Sequence, residues 1–400
     1  MADTQKLFTA LDNFKIELPS WGFADTGTRF GKFFQPAAAF TLEHKLQDAG
    51  HVHKLTGCCP TVATHVLWDF EKGGDPADTA RLAEANGVKI GSINPNVFQD
   101  QEYKLGSFCS PEAVSRKAAM DHTLESIEIG ASLGAPSMSM WLADGTNYPG
   151  QDSIRRRKRY LQDAFKQMHD AMAKSWPDST LLIEYKPFEP SFYHTDIADW
   201  GMAWSYCNHA GKNAKVLVDT GHHLQGCNIE HIVAFLLDEG MLGGFHFNDR
   251  KYADDDLTLA SIDPYAVFRI FDQIAQFEFE SGETADIAYM VDQSHNLKPK
   301  MEAMVQTVDE AQKAFAKAQL VDRKALTEAQ KNGDITGAER VLKDAYDTDV
   351  RGMLGEWRKG KGLAADPVAA LRSSGHIEAI GKARQQLRED MGIVQAASYA

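Results

Sequence analysis

Short apolar runs alternate along the chain with longer segments whose apolar residues recur at helical spacing. Eight such runs occur, at 15–23, 61–68, 88–98, 135–145, 181–188, 215–221, 243–249 and 286–295. Segments such as 115–134 and 154–175 lie between them, with charged faces and enough length to carry the chain back across a sheet. A strand whose successor arrives by a helical crossover pairs parallel to it, and eight repeats favour closure into a (β/α)8 TIM barrel over an open doubly wound sheet. After His295 the rhythm stops. From Pro299 to about Gln395 the sequence is rich in Ala, Lys, Glu, Gln and Leu and contains no strand-like run. Breaks at Asn332-Gly333-Asp334, Gly360-Lys361-Gly362 and Ser374-Gly375 divide it into several short helices. The expected organisation is a barrel with a short N-terminal helix over 1–298, and a helical extension over 299–400 packing on the barrel or on a neighbouring subunit. An appendage of that kind points to a homo-oligomer.

Composition narrows the class. At 400 residues, 43% apolar and 24% charged, the chain is an ordinary globular protein with room for a sizeable core. No run reaches the roughly 18 apolar residues of a spanning helix, and residues 1–15 lack the layout of a signal peptide, so a cytoplasmic protein with no membrane partner is expected. A net charge of −14 argues against a nucleic-acid partner, which selects basic surfaces. The five cysteines, Cys58, Cys59, Cys109, Cys207 and Cys227, form no CxxC pair and are expected to be free thiols, buried or partly so.

Some of the negative charge has a use. In a parallel barrel the functional side chains stand at the C-terminal ends of the strands. Glu184 and Lys186 end the fifth run two residues apart, on one side of an extended segment. Asp219 and His222 close the sixth, where Gly221 is expected to let the chain turn. His246 lies in the seventh, Asp254 and Asp256 follow it with the same i, i+2 spacing, and Asp292 ends the eighth. Five carboxylates at one mouth repel unless protons or cations intervene. Two divalent cations would offset most of that charge, and a shell of oxygen with some nitrogen suits Mn2+ or Mg2+, with Co2+ as a substitute. Other residues have plainer roles: Asp196 is expected to cap a helix, Asp255 to be a solvated neighbour of two ligands, and His209, His223 and His231 to be surface or packing residues.

At these positions the chain resembles the L-rhamnose isomerases of the Pseudomonas type, relatives of xylose isomerase. The resemblance runs through 18–30, 141–151, 183–193, 217–223, 243–257, 289–296 and 320–326, and the stretch GGFHFNDRKYADDDL is its most specific part. It implies a structural metal held by Glu184, Asp219, His246 and Asp292, with Asp219 bridging to a catalytic metal held by His222, Asp254 and Asp256. The resemblance also implies that Lys186 contacts the sugar near O1 and O2 and that His65 meets it and assists ring opening. Trp21 and Trp141 are implied as pocket walls, and Asp292 is counted among the substrate-binding residues as well. Cys58 and Cys59 ahead of His65, and the loop from Phe33 to Phe40, depart from the family pattern. The implied activity is isomerisation of L-rhamnose to L-rhamnulose, with D-allose, D-ribose and other aldoses as further substrates. A metal-assisted hydride shift is expected over an enediol route, because nearly every acidic or imidazole group placed at the mouth is already engaged as a ligand. Two divalent ions per subunit are implied, Mn2+ first and Mg2+, Co2+ or Zn2+ as alternatives, in a homotetramer. A sugar epimerase or a metal-dependent hydrolase on the same barrel is the alternative.

Overall fold

The structure, a computed structural model, describes residues 2–28, 31–66, 68–187 and 195–393. Positions 29–30 and 188–193 of the family-like stretches lie outside the described residues, as does Leu67 of the second run. Eight parallel strands form one sheet in sequence order: Leu18–Pro19, Thr61–Val66, Lys89–Pro95, Ser137–Met140, Thr180–Glu184, Ala214–Asp219, Leu242–Phe247 and Ala288–Val291. Its two edges meet. Glu17 N donates to Tyr289 O at 2.8 Å and Val291 N to Glu17 O at 2.9 Å, a parallel bridge that joins the first strand to the eighth. The chain is therefore an α/β barrel with helices between its strands.

The first run gives less strand than its pattern suggests. Pro19 has no N–H to give to a ladder, and the chain passes at once into a 3-10 turn over Ser20–Phe23. A hairpin of Thr26–Thr28 with Gly31–Phe33, which the pattern did not announce, follows it.

Alternation along the last four strands sets up the site. In each, an apolar or small residue faces the barrel interior two positions before a functional one: Leu182 before Glu184, Leu217 before Asp219, Gly244 before His246 and Met290 before Asp292. Leu182, Leu217 and Met290 pack together as a plug of their own inside the barrel. Gly244 is required there, because a Cβ would stand 2.6 Å from Ala288 O. The opposite phase of the strands, such as Val216, Val218, Phe245 and Phe247, belongs to the main core under the helices.

Helix Lys300–Gln319 follows the eighth strand and packs between Pro264–Ser281 and Leu42–Thr56, which closes the ring of barrel helices. Among the described residues five further helices, Arg323–Lys331, Ile335–Asp347, Arg351–Gly360, Pro367–Ser373 and His376–Asp390, lie outside that ring. They dock on their own barrel through buried ion pairs, Arg358 to Asp309 at 2.6 Å and Arg384 to Asp48 at 2.7 Å. Asp196 caps no helix: Thr195 bridges to Gly145, the helix begins at Trp200, and Asp199 accepts from Met202 N at 2.8 Å. Asp196 instead receives the Arg157 guanidinium at 2.8 Å. Among the described residues no helix is long and apolar enough to cross a membrane. Cys58, Cys59, Cys109 and Cys207 are buried free thiols, while Cys227 is exposed.

Candidate active site and metal centre

The ends of the fifth to eighth strands bring two groups of ligating atoms together. Glu184, Asp219, His246 and Asp292 form one, and Asp219, His222 and Asp254 the other; within each, the ligating atoms lie within 4.8 Å of one another. Asp219 belongs to both. Glu184 stands between the imidazoles, with Oε1 3.1 Å from His222 Nδ1 and Oε2 3.2 Å from His246 Nδ1. His222 Nδ1 is also 3.0 Å from Tyr185 O, which assigns its proton to that side and leaves Nε2 facing Asp254 at 3.4 Å and Asp219 at 3.9 Å. Asp256 is the expected ligand that neither group includes; it lines the same cavity, with a left-handed backbone at φ 48°.

Gly221 is needed for space and not for a turn. Its φ is not positive, but a Cβ would meet Asn248 Oδ1 at 2.4 Å and Asp254 Oδ1 at 3.1 Å. Asn248 itself was not anticipated. It follows His246 in the FND step and donates through Nδ2 to both Asp219 oxygens, at 3.0 and 3.1 Å, and to Asp292 O at 2.9 Å, fixing the shared carboxylate.

Burial and like charge set the electrostatics. Asp219 is raised to about 7, first by burial and then by Glu184, Asp254 and Asp292 against the pull of His222. Asp256 is pushed well up by burial and by Asp254, Asp292 and Asp219, and Asp292 is raised by burial. Burial pushes Glu184 up too, yet the imidazoles of His246 and His222 outweigh it and hold Glu184 at about 2. Those imidazoles rise in turn against burial: His246 to about 9 beside Glu184, and His222 well up beside Asp219 and Asp254. Among the described residues the fully buried Glu184 Oε1, His246 Nδ1 and Asp254 Oδ1 have no hydrogen bond of proper alignment. Converging, unsatisfied oxygen and nitrogen atoms of this kind fit a divalent cation.

A cavity of about 180 Å3 opens on these groups. Trp21, His65, Trp141 and Lys186 line it, as do Trp68, Asn94, Phe98 and Ser139, which sequence reasoning missed. Asn94 and Ser139 come from strands and carried no charge to draw attention. Trp21 stacks edge-on against His65 at 4.7 Å and donates from Nε1 to Asp292 Oδ1 at 2.8 Å. His65 lies 4.1 Å from the Trp68 ring, and Phe98 5.0 Å from Trp141. Lys186 Nζ is paired with Asp254 at 2.7 Å and sits 5.2 Å from the Trp141 ring. Among the described residues His65 Nδ1, Ser139 Oγ and Trp141 Nε1 are buried without a hydrogen-bond partner.

Asp255 is less solvated than expected, because its carboxylate accepts from Lys251 N and Tyr252 N and holds the loop between its neighbours. His223 is buried against the Tyr185 hydroxyl at 2.6 Å, while His209 and His231 are exposed. A third group of ligating atoms, Cys109, Asp144 and Asp196, is occupied by internal bonds, from Ser107 and Cys109 to Asp144 and from Arg157 to Asp196.

Comparison with known proteins places the fold in a family. The sequence pattern of the "xylose isomerase-like TIM barrel" family matches residues 64–288. A protein named as a probable sugar isomerase from Mesorhizobium japonicum is 40% identical over 372 residues, 92% of this chain and 85% of that one. Another so named, from Rhizobium meliloti, is 39% identical over 90% of this chain and 84% of its own. Among solved structures, an L-ribulose 3-epimerase covers 77% of this chain and 98% of its own with a TM-score of 0.53 at 14% identity, a likeness of fold. From its barrel, its matched segment and its full-length relatives, the chain belongs to the xylose isomerase-like TIM barrel family.

Proposed function

We propose that the protein is a divalent-metal-dependent aldose–ketose isomerase, converting L-rhamnose to L-rhamnulose and acting on D-allose, D-ribose or other aldoses as well. One observation carries this reading: two overlapping groups of ligating atoms share the buried Asp219, and their other members line a cavity walled by aromatic rings. Relatives named as sugar isomerases support the same class of reaction. Glu184, Asp219, His246 and Asp292 would hold one cation and Asp219, His222 and Asp254, with Asp256 beside them, a second. Cations there, Mn2+ first and Mg2+, Co2+ or Zn2+ as alternatives, would act as Lewis acids toward adjacent sugar oxygens.

The chain's own residues position the sugar. Lys186, next to Asp254, is placed to stabilise negative charge on a sugar oxygen. His65 is neutral, since burial and the Lys45 cation lower it to about 3, and its unpartnered Nδ1 can meet the ring oxygen as the sugar opens. Trp21, Trp68, Phe98 and Trp141 exclude water while hydrogen moves. That hydrogen leaves C2 with its electron pair and arrives at C1, so C2 is oxidised and C1 reduced, and the O2 proton passes to O1. Resemblance to the rhamnose isomerases supports a homotetramer, and the net charge of −14 argues against a nucleic-acid partner. The test is a panel of aldoses assayed for ketose after chelation and again after Mn2+ is restored. We expect activity to vanish and return; full turnover in a verified metal-free sample would sink the reading.

A further inference from the structure

Helix His376–Asp390 lies outside the barrel ring, yet two of its arginines are almost fully buried, Arg384 at 3% and Arg388 at 4% exposure. Four residues apart, they share one face. Both reach the loop that follows the first strand. Arg384 grips Asp48 with both terminal nitrogens, at 2.8 and 2.7 Å, and donates to Ala37 O at 2.6 Å. Arg388 donates to Asp25 Oδ2 at 3.0 Å, Ala38 O at 2.8 Å and Pro36 O at 3.1 Å. Pro36, Ala37 and Ala38 have only small side chains to anchor them, so these donors to their carbonyls fix the path of the loop.

Two chains of bonds lead from that loop to the site. Along one, Ala39 N donates to Phe23 O at 2.9 Å, Ala24 N to Trp21 O at 3.1 Å, and Trp21 Nε1 to Asp292 Oδ1 at 2.8 Å. Along the other, Asp25 Oδ1 accepts from Gln35 N at 2.8 Å, and Gln35 Nε2 donates to Asn296 O and Lys298 O, each at 2.9 Å, just beyond Asp292. We propose that Arg388, supported by Arg384, is a positioning residue for Trp21 and Asp292, so that the C-terminal helix shapes the metal- and sugar-binding mouth from outside the barrel. This rests on the functional reading above. A lysine cannot replace the planar fork that serves three acceptors at once.

The test compares Arg388→Ala, Arg388→Lys and Gln35→Ala with Arg372→Ala, which removes an exposed arginine paired with Glu302. Mn2+ affinity and hydrogen exchange of segments 23–39 and 292–298 are measured on the full chain without sugar, followed by KM and kcat at saturating Mn2+. For Arg388→Ala we expect Mn2+ binding weaker by about tenfold, faster exchange in both segments, and a larger rise in KM than fall in kcat. Arg388→Lys should recover little of this, and Arg372→Ala should match the wild type. Wild-type exchange at 292–298 with wild-type Mn2+ affinity in Arg388→Ala would overturn the proposal. Should that variant fail to fold, Gln35→Ala, which leaves the helix docked, decides by the same two measurements. A wild type that converts no aldose, with Mn2+ affinity still lost in Arg388→Ala, would sink the isomerase reading and support the coupling.

Discussion

Asp256 is the residue on which the route of hydrogen transfer turns. The acids and imidazoles of the two ligating groups are taken up as candidate ligands, which leaves, among the described residues, His65, Lys186 and Asp256 as further titratable groups on the cavity wall. An enediol route needs a base that takes the C2 proton and returns it to C1. Lys186 is paired with Asp254, and His65, lowered to about 3, is a poor base. Among the described residues Asp256, raised by burial and its carboxylate neighbours, is the one group suited to that task, whereas a hydride shift needs none. We expect an aldose deuterated at C2 to give ketose labelled at C1, with almost no solvent label from D2O. Asp256→Asn should slow turnover by about a hundredfold or more, because it disturbs the charge around the second group, while leaving the label transfer complete. Solvent deuterium at C1 in early product that disappears with Asp256→Asn would instead make Asp256 the base of an enediol route.

Elements differ in how much of themselves they declared. The fifth, sixth and eighth strands were legible because an apolar residue two positions before a carboxylate is what a barrel interior requires: a plug below and chemistry above. The first strand was legible in place but not in extent, since the apolar run continues past Pro19 whereas the ladder cannot. Nor did the pattern separate Asp196 from Asp199 as a cap, because that choice depends on Thr195 being held extended by Gly145. Asn248, Asn94 and Ser139 were missed for a related reason: neutral polar residues signal their role only when a neighbour is seen to need them. The helices beyond residue 320 were foreseen as helices, but their dependence on buried arginines was not. Arg358 illustrates it: 2% exposed, it donates to Asp309 at 2.6 Å and also to Gln312. Removing it leaves a buried carboxylate with Lys313 as its remaining cation. With that cation still in place, Arg358→Ala should cost about 2 kcal/mol in urea unfolding. A loss below about 0.5 kcal/mol, the size of an exposed pair, would show that this helix contributes little to the fold.

At the scale of the whole molecule, the acidic cluster makes stability depend on pH in opposite ways with and without cations. His246, held at about 9 by Glu184 despite burial, stabilises the cation-free fold fully below its ordinary value of 6.5, and that contribution is lost as pH rises through 9. Asp219 acts in the same direction. Burial and neighbouring carboxylates let the folded chain keep its proton up to about 7, whereas the unfolded chain releases it near 3.8, so folding weakens as pH rises between those values. Glu184, held at about 2 by the imidazoles against burial, contributes stability present above 4.5 and lost only as pH falls toward 2. From pH 6 to 8 the cation-free protein should thus lose Tm through this cluster. A cation taking the place of those protons reverses the sign, because each proton it displaces makes binding tighter as pH rises. Bound at a hundred times its Kd, it adds about 2.7 kcal/mol to the fold. The Tm increment from a fixed Mn2+ concentration over chelated protein should accordingly be larger at pH 8 than at pH 6, with protons released to the buffer on binding. An equal increment at both pH values, with no proton release, would mean that the cation binds elsewhere and that these carboxylates and imidazoles satisfy one another without it.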